Sequence, residues 1–311
     1  METEFIEGKL PPGHRYDFDP YIFNLPENLP LQSREGWQSF YAVRPDKKLV
    51  RAQVHFCVEG TRALSPFKNP FGSFEFSDAF TPKELFEFIQ FSNAKLRERG
   101  VKYIEIRSYP HAYHPERSSL LSTFLINQGF ITTNAELSAC IPVSQSKLFE
   151  SLSSFEKRRL KKQKQSDLRF KKIPIEELHK VYDFVESCRK ERNQSISMTI
   201  GQLEAAVKVL PGKFLLFGIY DKQALAAACI SIRINKSILY NFYPAHAKAY
   251  DLLSPVVGLT EGIYEFCQEQ DITLLDLGTS ALRGKPNFSL LDFKIHVGAL
   301  PTPKFTFVKT E

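Results

Sequence analysis

The chain has 311 residues, of which 43% are hydrophobic and 24% are charged. This composition supplies enough apolar side chains for the cores of two domains of ordinary size, so we expect a folded chain and not a disordered one. No stretch reaches the roughly 18 uninterrupted apolar residues that a membrane span needs, and the acidic start lacks the apolar region of a secretory signal. We therefore expect a cytoplasmic protein that does not insert into a membrane.

The five cysteines are widely spaced, form no CxxC pair and have no neighbouring histidine pattern. This arrangement predicts buried reduced thiols and no metal site.

The net charge of +6 is unevenly placed, because six of the eight residues at 157–164 are basic. Such a run indicates either a polyanionic partner or a solvated helix end.

The first 35 residues contain five prolines, which forbid a long helix, so we predict an irregular N-terminal arm. Thr81 and Glu84 form a capping-box pattern around Pro82, which predicts a helix start, and Gly100 is placed to end that helix. The elements predicted for this half, in chain order, are strands at 37–44 and 49–58, a helix at 82–99, a strand at 101–107, a helix at 116–128 and a strand at 131–143.

The second half begins with an amphipathic helical pattern around Leu178 and Val185, and Thr199 with Gln202 forms another capping box. Ser254 before Pro255 is predicted to cap a later helix. The remaining predicted elements are strands at 213–220, 224–233 and 237–243, a helix from 255, a strand at 273–278, a helix at 287–296 and a strand at 304–309.

Both halves follow one order: a hairpin, a capped helix, a short strand, a helix that ends in glycine, and a final strand. This parallel predicts an internal duplication of one α/β unit. The predicted division is an arm at 1–35, a first and reduced domain at 36–147 and a second domain at 148–311.

The order of elements in residues 165–311 resembles the GNAT acyltransferase fold, and the tandem arrangement resembles the Fem group of peptidoglycan aminoacyltransferases. The stretches that carry the closer resemblance are Phe155-Glu-Lys-Arg-Arg-Leu-Lys-Lys-Gln-Lys164, Leu274-Leu-Asp-Leu-Gly278 and Leu290-Leu-Asp-Phe-Lys-Ile-His-Val-Gly298. The resemblance implies an α/β (α+β) fold of two tandem GNAT-like domains, each with a mixed, mainly antiparallel sheet flanked by helices. It also implies N-acyl or aminoacyl transfer to an amine.

The sequence departs from the GNAT pattern at the pyrophosphate loop, because the Q/R-x-x-G-x-G/A motif is missing from both halves. The nearest substitute is Ser254 at the start of a helix whose free N–H groups suit an anion. The long helical arm of the Fem group also finds no room. Acyl-CoA and aminoacyl-tRNA therefore both remain possible donors, and tRNA remains a possible partner.

The resemblance implies that the reacting groups gather where the fourth and fifth strands of the second domain separate. Tyr243 and His246 are candidate proton donors to the leaving group, and Asp276 is a candidate to orient or deprotonate the amine. The alternative for Tyr243 and His246 is a packed or surface residue, and the alternative for Asp276 is a ligand of the turn at the strand end. The candidates for binding the donor are Asn241, Phe242, Ser254, Val256, Gly278 and Thr279. The basic candidates for binding substrate are Arg158, Arg159, Arg283, Lys285 and Lys294.

In the first half, residues 107–114 place two histidines and two tyrosines after a predicted strand. Tyr109, His111, Tyr113 and His114 indicate either an acid–base loop or a loop held by aromatic packing.

Three functions follow from the sequence. The favoured one is an N-acyltransferase that acts on an amine of a small molecule or peptide. The alternatives are a catalytically inactive binding or regulatory protein of this fold and a nucleic-acid-binding module.

Overall fold

The computed structural model describes residues 3–282 and 284–311, with the side chain of Leu282 left out. The chain forms two compact units. Unit 1 comprises Met1–Glu136 and Pro303–Glu311, and unit 2 comprises Leu137–Thr302. Each unit is a mixed sheet flanked by helices, which confirms the predicted fold class.

The elements of the first part of the chain are β1 Glu4–Glu7, β2 Arg15–Tyr16, α1 Leu29–Gln32, β3 Trp37–Arg44, β4 Leu49–Glu59, β5 Arg62–Ser65, β6 Glu75–Phe76, α2 Pro82–Glu98, β7 Tyr103–Arg107, α3 Pro115–Asn127 and β8 Ile131–Pro142. In unit 1 the strand order is β1-β3-β4-β5-β7, and β7 pairs next with the last strand of the chain, β16 Leu300–Thr310. Buried phenylalanines, among them Phe56, Phe74 and Phe88, fill the core between this sheet and α2.

The elements of the second part are α4 Leu148–Ser151, α5 Ser154–Lys164, β9 Leu168–Ile173, α6 Leu178–Lys190, α7 Ile200–Val209, β10 Phe214–Asp221, β11 Ala224–Arg233, β12 Ile238–His246, α8 Pro255–Glu269, β13 Leu274–Thr279, β14 Ala281–Leu282, β15 Lys285–Pro286 and α9 Phe288–His296. In unit 2 the order is β13-β12-β11-β10-β9, and residues 138–142 of β8 pair with β13. The core lies between this sheet and α8, which is buried along most of its length.

Both predicted capping boxes form. The Thr81 hydroxyl accepts from the Glu84 amide and the Glu84 carboxylate accepts from the Thr81 amide, and Thr199 with Gln202 makes the same reciprocal pair. Gly100 ends α2 at φ +79°, a left-handed value that favours glycine. The local signals therefore fix where these two helices begin and where α2 ends.

The final strands of the two predicted halves exchange their expected places. Residues 303–311 belong to unit 1, where 306–310 pair with β7, whereas residues 138–142 pair with β13 and belong to unit 2. The observed division therefore falls at 136/137 and again at 302/303, not at 147/148. The reason is that a strand's sequence specifies an extended segment with a buried face, while its partner is chosen by non-local pairing.

The five cysteines are free thiols and are all buried, as the spacing predicted. Within residues 3–282 and 284–311, no helix is long and apolar enough to cross a bilayer.

Candidate active site

The strands β12 and β13 separate in the middle of unit 2. They pair in parallel only from Ile238 with Leu274 to Tyr240 with Asp276, although β12 continues to His246. Beyond Tyr240 the other edge of β12 stays paired with β11. The divergence therefore opens a gap on the β13 side of β12, at the place where the resemblance predicted one.

A β-bulge lies in β12 beside this gap. Ile230 of β11 pairs with Tyr243 and the next residue, Ser231, pairs with Asn241, which leaves Phe242 as an extra residue in β12. A bulge of this kind re-aims the side chains around it. The Asn241 side chain lines the gap and its Oδ1 accepts a hydrogen bond from Ser231 Oγ at 3.0 Å.

The gap is part of a cavity of about 540 Å³ within unit 2. That volume lies in the range of ordinary small-molecule sites. The residues that line it come from six helices or strands, namely α5, α6, β12, α8, β13 and α9, and from the segments that follow α6 and β12. They are Arg159, Cys188, Arg189, Arg192, Gln194, Asn241, Pro244, Ala245, His246, Asp251, Ser254, Val256, Val257, Thr260, Leu277, Leu290, Phe293 and Lys294.

Lys294 of α9 brings a buried cation to this cavity. Only 5% of its surface is exposed, and its Nζ donates to the carbonyl oxygens of Gly278 at 2.8 Å and Thr279 at 2.9 Å. Burial lowers the Lys294 pKa to about 8, against the opposing influence of Asp276 and Cys140. An ammonium has three donors, so two bonds leave one proton for a group in the cavity.

Asp276 lies behind this lysine and does not line the cavity. Its Oδ1 accepts from the Gly278 amide at 2.7 Å and from the Cys140 thiol at 3.7 Å. Gly278 has φ +76°, and the Tyr240 ring lies 3.1 Å from where a Cβ would be. The carboxylate thus shapes the turn whose carbonyl groups hold Lys294, which differs from the predicted contact with the amine.

His246 lies in a charged cluster on the cavity wall. Its Nε2 is 2.8 Å from Asp251 Oδ1 and 3.1 Å from Arg192 Nη2, and Arg192 Nη1 donates to the His246 carbonyl at 2.9 Å. Burial and the Arg192 charge lower the His246 pKa, while Asp251 opposes them. The direction of this shift favours the neutral imidazole, which is the form that accepts a proton.

Tyr243 is not among the residues that line the cavity, and its role as the proton donor stays a prediction. Its side chain is buried, with its hydroxyl 2.5 Å from Ser197 Oγ and accepting from the Met198 amide at 3.0 Å. The Phe242 ring stacks on it at 3.9 Å between centroids and does not line the cavity. The β12 bulge explains both placements, because it rotates these residues out of the simple alternation of a strand.

The N-terminal end of α8 opens on the cavity through Ser254, Val256 and Val257. Ser254 occupies the N-cap position as predicted, but it has φ +47° and its side chain makes no capping hydrogen bond. Pro255 at the first helical position sets the helix start instead. Ser254 and Val256 still lie where the resemblance placed donor-binding residues.

Some of the remaining predicted site residues line the cavity or contact Lys294, and others are exposed on the protein surface. Arg159 lines the cavity, donates to Glu156 Oε1 at 3.1 Å and lies over the Phe155 ring. Gly278 and Thr279 give their carbonyl groups to Lys294. Arg158 and Lys285 are exposed and are not among the lining residues, and Arg283 lies outside the described residues.

Two lining residues, Arg189 and Arg192, were missed by the sequence analysis. They lie at the C-terminal end of α6 and just beyond it. The helical pattern there identified only the apolar face that packs on the sheet. Two arginines three positions apart beside buried Cys188 were the available signal, but exposed basic residues near helix ends are common for electrostatic reasons.

The corresponding place in unit 1 is filled by aromatic side chains. Strands β5 and β7 pair in parallel from Arg62 with Tyr103 to Ser65 with Ile106. The aromatic residues after these strands and in the arm pack edge to face or stacked, and they are Tyr21, Phe23, Phe71, Tyr109 and Tyr113. The two phenols of the predicted acid–base loop are therefore packing groups, and the cavity beside Tyr109 and His111 has a volume of only about 10 Å³.

The two histidines of that loop make polar contacts at the surface. His111 Nε2 lies 3.2 Å from Ser119 Oγ, and His114 lies 3.4 Å from Asp78 and 3.5 Å from Glu116. The alternative interpretation of this loop, aromatic packing, is the one the structure supports.

No protein-family model matches the chain, and no curated protein matches it in sequence. Solved structures do resemble it. FemX is 12% identical over 94% of this chain and 93% of the FemX chain, with a TM-score of 0.71. L-PGS from Bacillus licheniformis is 11% identical over 90% and 85%, with a TM-score of 0.56.

A tandem GNAT protein from the clavulanic acid biosynthesis pathway is 8% identical over 99% of this chain and 98% of that protein, with a TM-score of 0.51. Structural similarity at identities this low shows the fold and leaves the activity open. The chain is therefore a protein of the tandem GNAT fold with Fem-like structural relatives.

Proposed function

We propose that unit 2 transfers an acyl or aminoacyl group from a thioester or ester to an amine. The observation that carries this proposal is the divergence of β12 and β13 over a cavity that also receives the buried ammonium of Lys294. Acyl transfer needs a donor for the carbonyl oxyanion and a base for the attacking amine. Lys294 and His246, on the wall of one cavity, match these two needs.

In the proposed reaction a neutral amine attacks the carbonyl carbon of the donor. A C–N bond forms while negative charge develops on the carbonyl oxygen, and the free proton of the Lys294 ammonium stabilises that charge. His246 accepts the proton that the nitrogen releases. The C–S or C–O bond then breaks, and the protonated imidazole can return that proton to the leaving thiolate or alkoxide.

The donor class is an acyl-CoA or an aminoacyl-tRNA. Two features favour a phosphate-bearing donor of either class: the N-terminal end of α8 opens on the cavity, and Arg159 and Arg192 lie on the same wall. Helix N-termini and arginines both favour phosphate groups. The exposed basic residues of α5 favour the tRNA ester, while the lack of a long helical arm within residues 3–282 and 284–311 favours acyl-CoA.

A transfer assay with both donor classes tests the proposal. The full-length protein is incubated with a panel of acyl-CoA thioesters or charged tRNAs and a panel of amines, and amide products are detected by mass spectrometry. We expect an amide from at least one donor class. No amide from any combination, with protein whose thermal unfolding is cooperative, would count against catalysis.

The second candidate function is a catalytically inactive binding protein of the same fold. Two observations favour it. The Tyr243 hydroxyl is hydrogen-bonded to Ser197 and Met198, which do not line the cavity, and the sequence lacks the pyrophosphate loop. Saturable binding of a donor without any product would support it. Transfer that disappears in Lys294→Met would eliminate it.

A further inference from the structure

Three arginines line the cavity of unit 2, and they differ in their partners. Arg159 pairs with Glu156 at 3.1 Å, and Arg192 lies 3.4 Å from Asp251. Arg189 has no carboxylate partner in the described part of the chain. Because an ion that leaves water loses hydration energy, a partly buried cation without a counter-charge is unfavourable unless a ligand supplies the charge.

The Arg189 guanidinium is nevertheless held in place. It lies over the Tyr243 ring, 4.9 Å from the centroid, and its Nη1 donates to the Ser195 carbonyl at 3.1 Å. Tyr243 is itself fixed by Ser197 and Met198. The Nε is buried and has no acceptor within residues 3–282 and 284–311. A fixed planar cation with unused donors is the form in which arginine recognises carboxylate and phosphate groups.

Arg189 also lines a second cavity, of about 280 Å³, formed by the end of α6 and the segment that leads to α7. Gln194 is shared by both cavities as well. Glu186, which also lines this side cavity, pairs with Lys190 at 2.8 Å. Arg189 and Gln194 thus stand between the catalytic cavity and a side cavity that does not include the N-terminal end of α8.

We propose that Arg189 binds an anionic group of the acceptor, so that the amine that receives the acyl group belongs to a molecule with a nearby carboxylate or phosphate. The donor occupies the end of the cavity beside α8. The acceptor enters from the side cavity, places its oxyanion against the guanidinium and directs its amine toward His246 and Lys294. This inference rests on the proposed transferase function and specifies its acceptor class.

Matched amines test the acceptor class. The carboxylate pairs are L-alanine with L-alaninamide and L-lysine with L-lysinamide, and the phosphate pair is phosphoethanolamine with ethanolamine. In the full-length protein we expect kcat/KM to be at least tenfold higher for the anionic member of at least one pair. The carboxylate and phosphate pairs distinguish the two sources of negative charge.

Variants locate the preference at Arg189. In Arg189→Gln the ratio of kcat/KM within each pair should fall to about one, and Arg189→Lys should retain part of it because a lysine lacks the planar fork. The control is Arg169→Gln, an exposed arginine of β9 that bonds only to backbone carbonyl groups and should keep the wild-type ratio. A wild-type ratio near one, or an unchanged ratio in Arg189→Gln, would overturn the proposal.

A binding measurement separates failure of this inference from failure of the transferase function. If no donor supports transfer, thermal unfolding is followed with each amine at millimolar concentration. A rise in Tm with the anionic members, absent in Arg189→Gln and present in Arg169→Gln, would retain Arg189 as an anion site. No rise with any anionic member would overturn that site as well.

Discussion

The Lys294 ammonium donates to the Gly278 carbonyl oxygen at 2.8 Å, so a helix near the C-terminus is tied to the end of the strand that forms one side of the cavity. The same glycine donates its amide to Asp276. One turn therefore connects a buried carboxylate, a glycine in a left-handed conformation and the buried cation. This turn gives the proposed oxyanion donor a fixed position.

Replacement of Lys294 by methionine should lower kcat/KM by roughly 10²–10³, the usual effect of losing one oxyanion donor. The change should fall mainly on kcat, since the interaction is strongest in the transition state. Steady-state kinetics with the best donor and amine measure it. Lys208→Met, an exposed lysine of α7, is the control and should match wild type. Equal activity in both variants would remove Lys294 from the mechanism.

The lowered pKa of Lys294 predicts an alkaline limit to activity. The ammonium loses its proton as the pH rises through about 8, so kcat/KM should fall above that pH with a slope approaching minus one. A pH–rate profile from 6.5 to 9.5 measures this, in the range where the protein stays folded. A flat profile to pH 9.5 would show that the charged form is not required.

The same group affects stability in the opposite direction. Its pKa is about 8 in the folded protein and 10.5 ordinarily, so between these values the unfolded chain binds more protons. The free energy of unfolding should therefore gain up to about 3 kcal/mol from this group between pH 8 and 10.5. Urea unfolding of wild type and Lys294→Met at pH 8 and 10 tests the difference. Identical pH dependence in the two proteins would contradict it.

Glu75 in unit 1 predicts a second pH effect. Burial raises its pKa to about 8, although the Gln53 side chain and the Tyr21 amide donate to its oxygens at 2.7 and 2.8 Å. The folded protein keeps this proton between pH 4.5 and 8 while the unfolded chain releases it. The contribution of Glu75 to stability is therefore lost as the pH rises through that window.

Glu75→Gln should remove this part of the pH dependence, because an amide does not titrate there. Urea unfolding at pH 5, 6.5 and 8 measures the slope for the variant and wild type. Glu105→Gln, a half-buried acid of β7 in the same unit, serves as the comparison and should retain the wild-type slope. A wild-type slope in Glu75→Gln would mean that Glu75 is ionised in the folded protein.

The basic face of α5 predicts for which donor the KM depends on the salt concentration. Lys161 and Lys162 are exposed, and Lys162 reaches the Leu252 carbonyl at 3.4 Å. If aminoacyl-tRNA is the donor, Lys161→Gln with Lys162→Gln should raise its KM several-fold and reduce the salt dependence of KM by about two phosphate contacts. The exposed lysines Lys83 and Lys208, changed in the same way, form the control. Unchanged KM for tRNA would exclude α5 as its contact.

The sequence was sufficient for features that depend on residues close together in the chain. The capping boxes at Thr81 and Thr199 and the turn at Gly100 were predicted correctly because each uses contacts over three or four residues. The same local logic failed at Ser254, where a residue type that favours caps takes a left-handed conformation instead. The resemblance supplied Lys294, Gly278 and Thr279 as candidates, but not the hydrogen bonds from Lys294 to the two carbonyl groups.

The sequence by itself determined the order and type of most of the longer elements and, through the resemblance that this order carries, the tandem α/β fold, whereas short elements such as β1 Glu4–Glu7 and β5 Arg62–Ser65 were not predicted. Only the tertiary structure decided which strand closes which sheet, that Tyr243 is not among the residues lining the cavity, and which arginine lacks a carboxylate. The physical reason is that these properties are pairings between distant segments. A strand pattern specifies a buried face and a charged residue specifies a need for a partner, but neither specifies which distant segment supplies it.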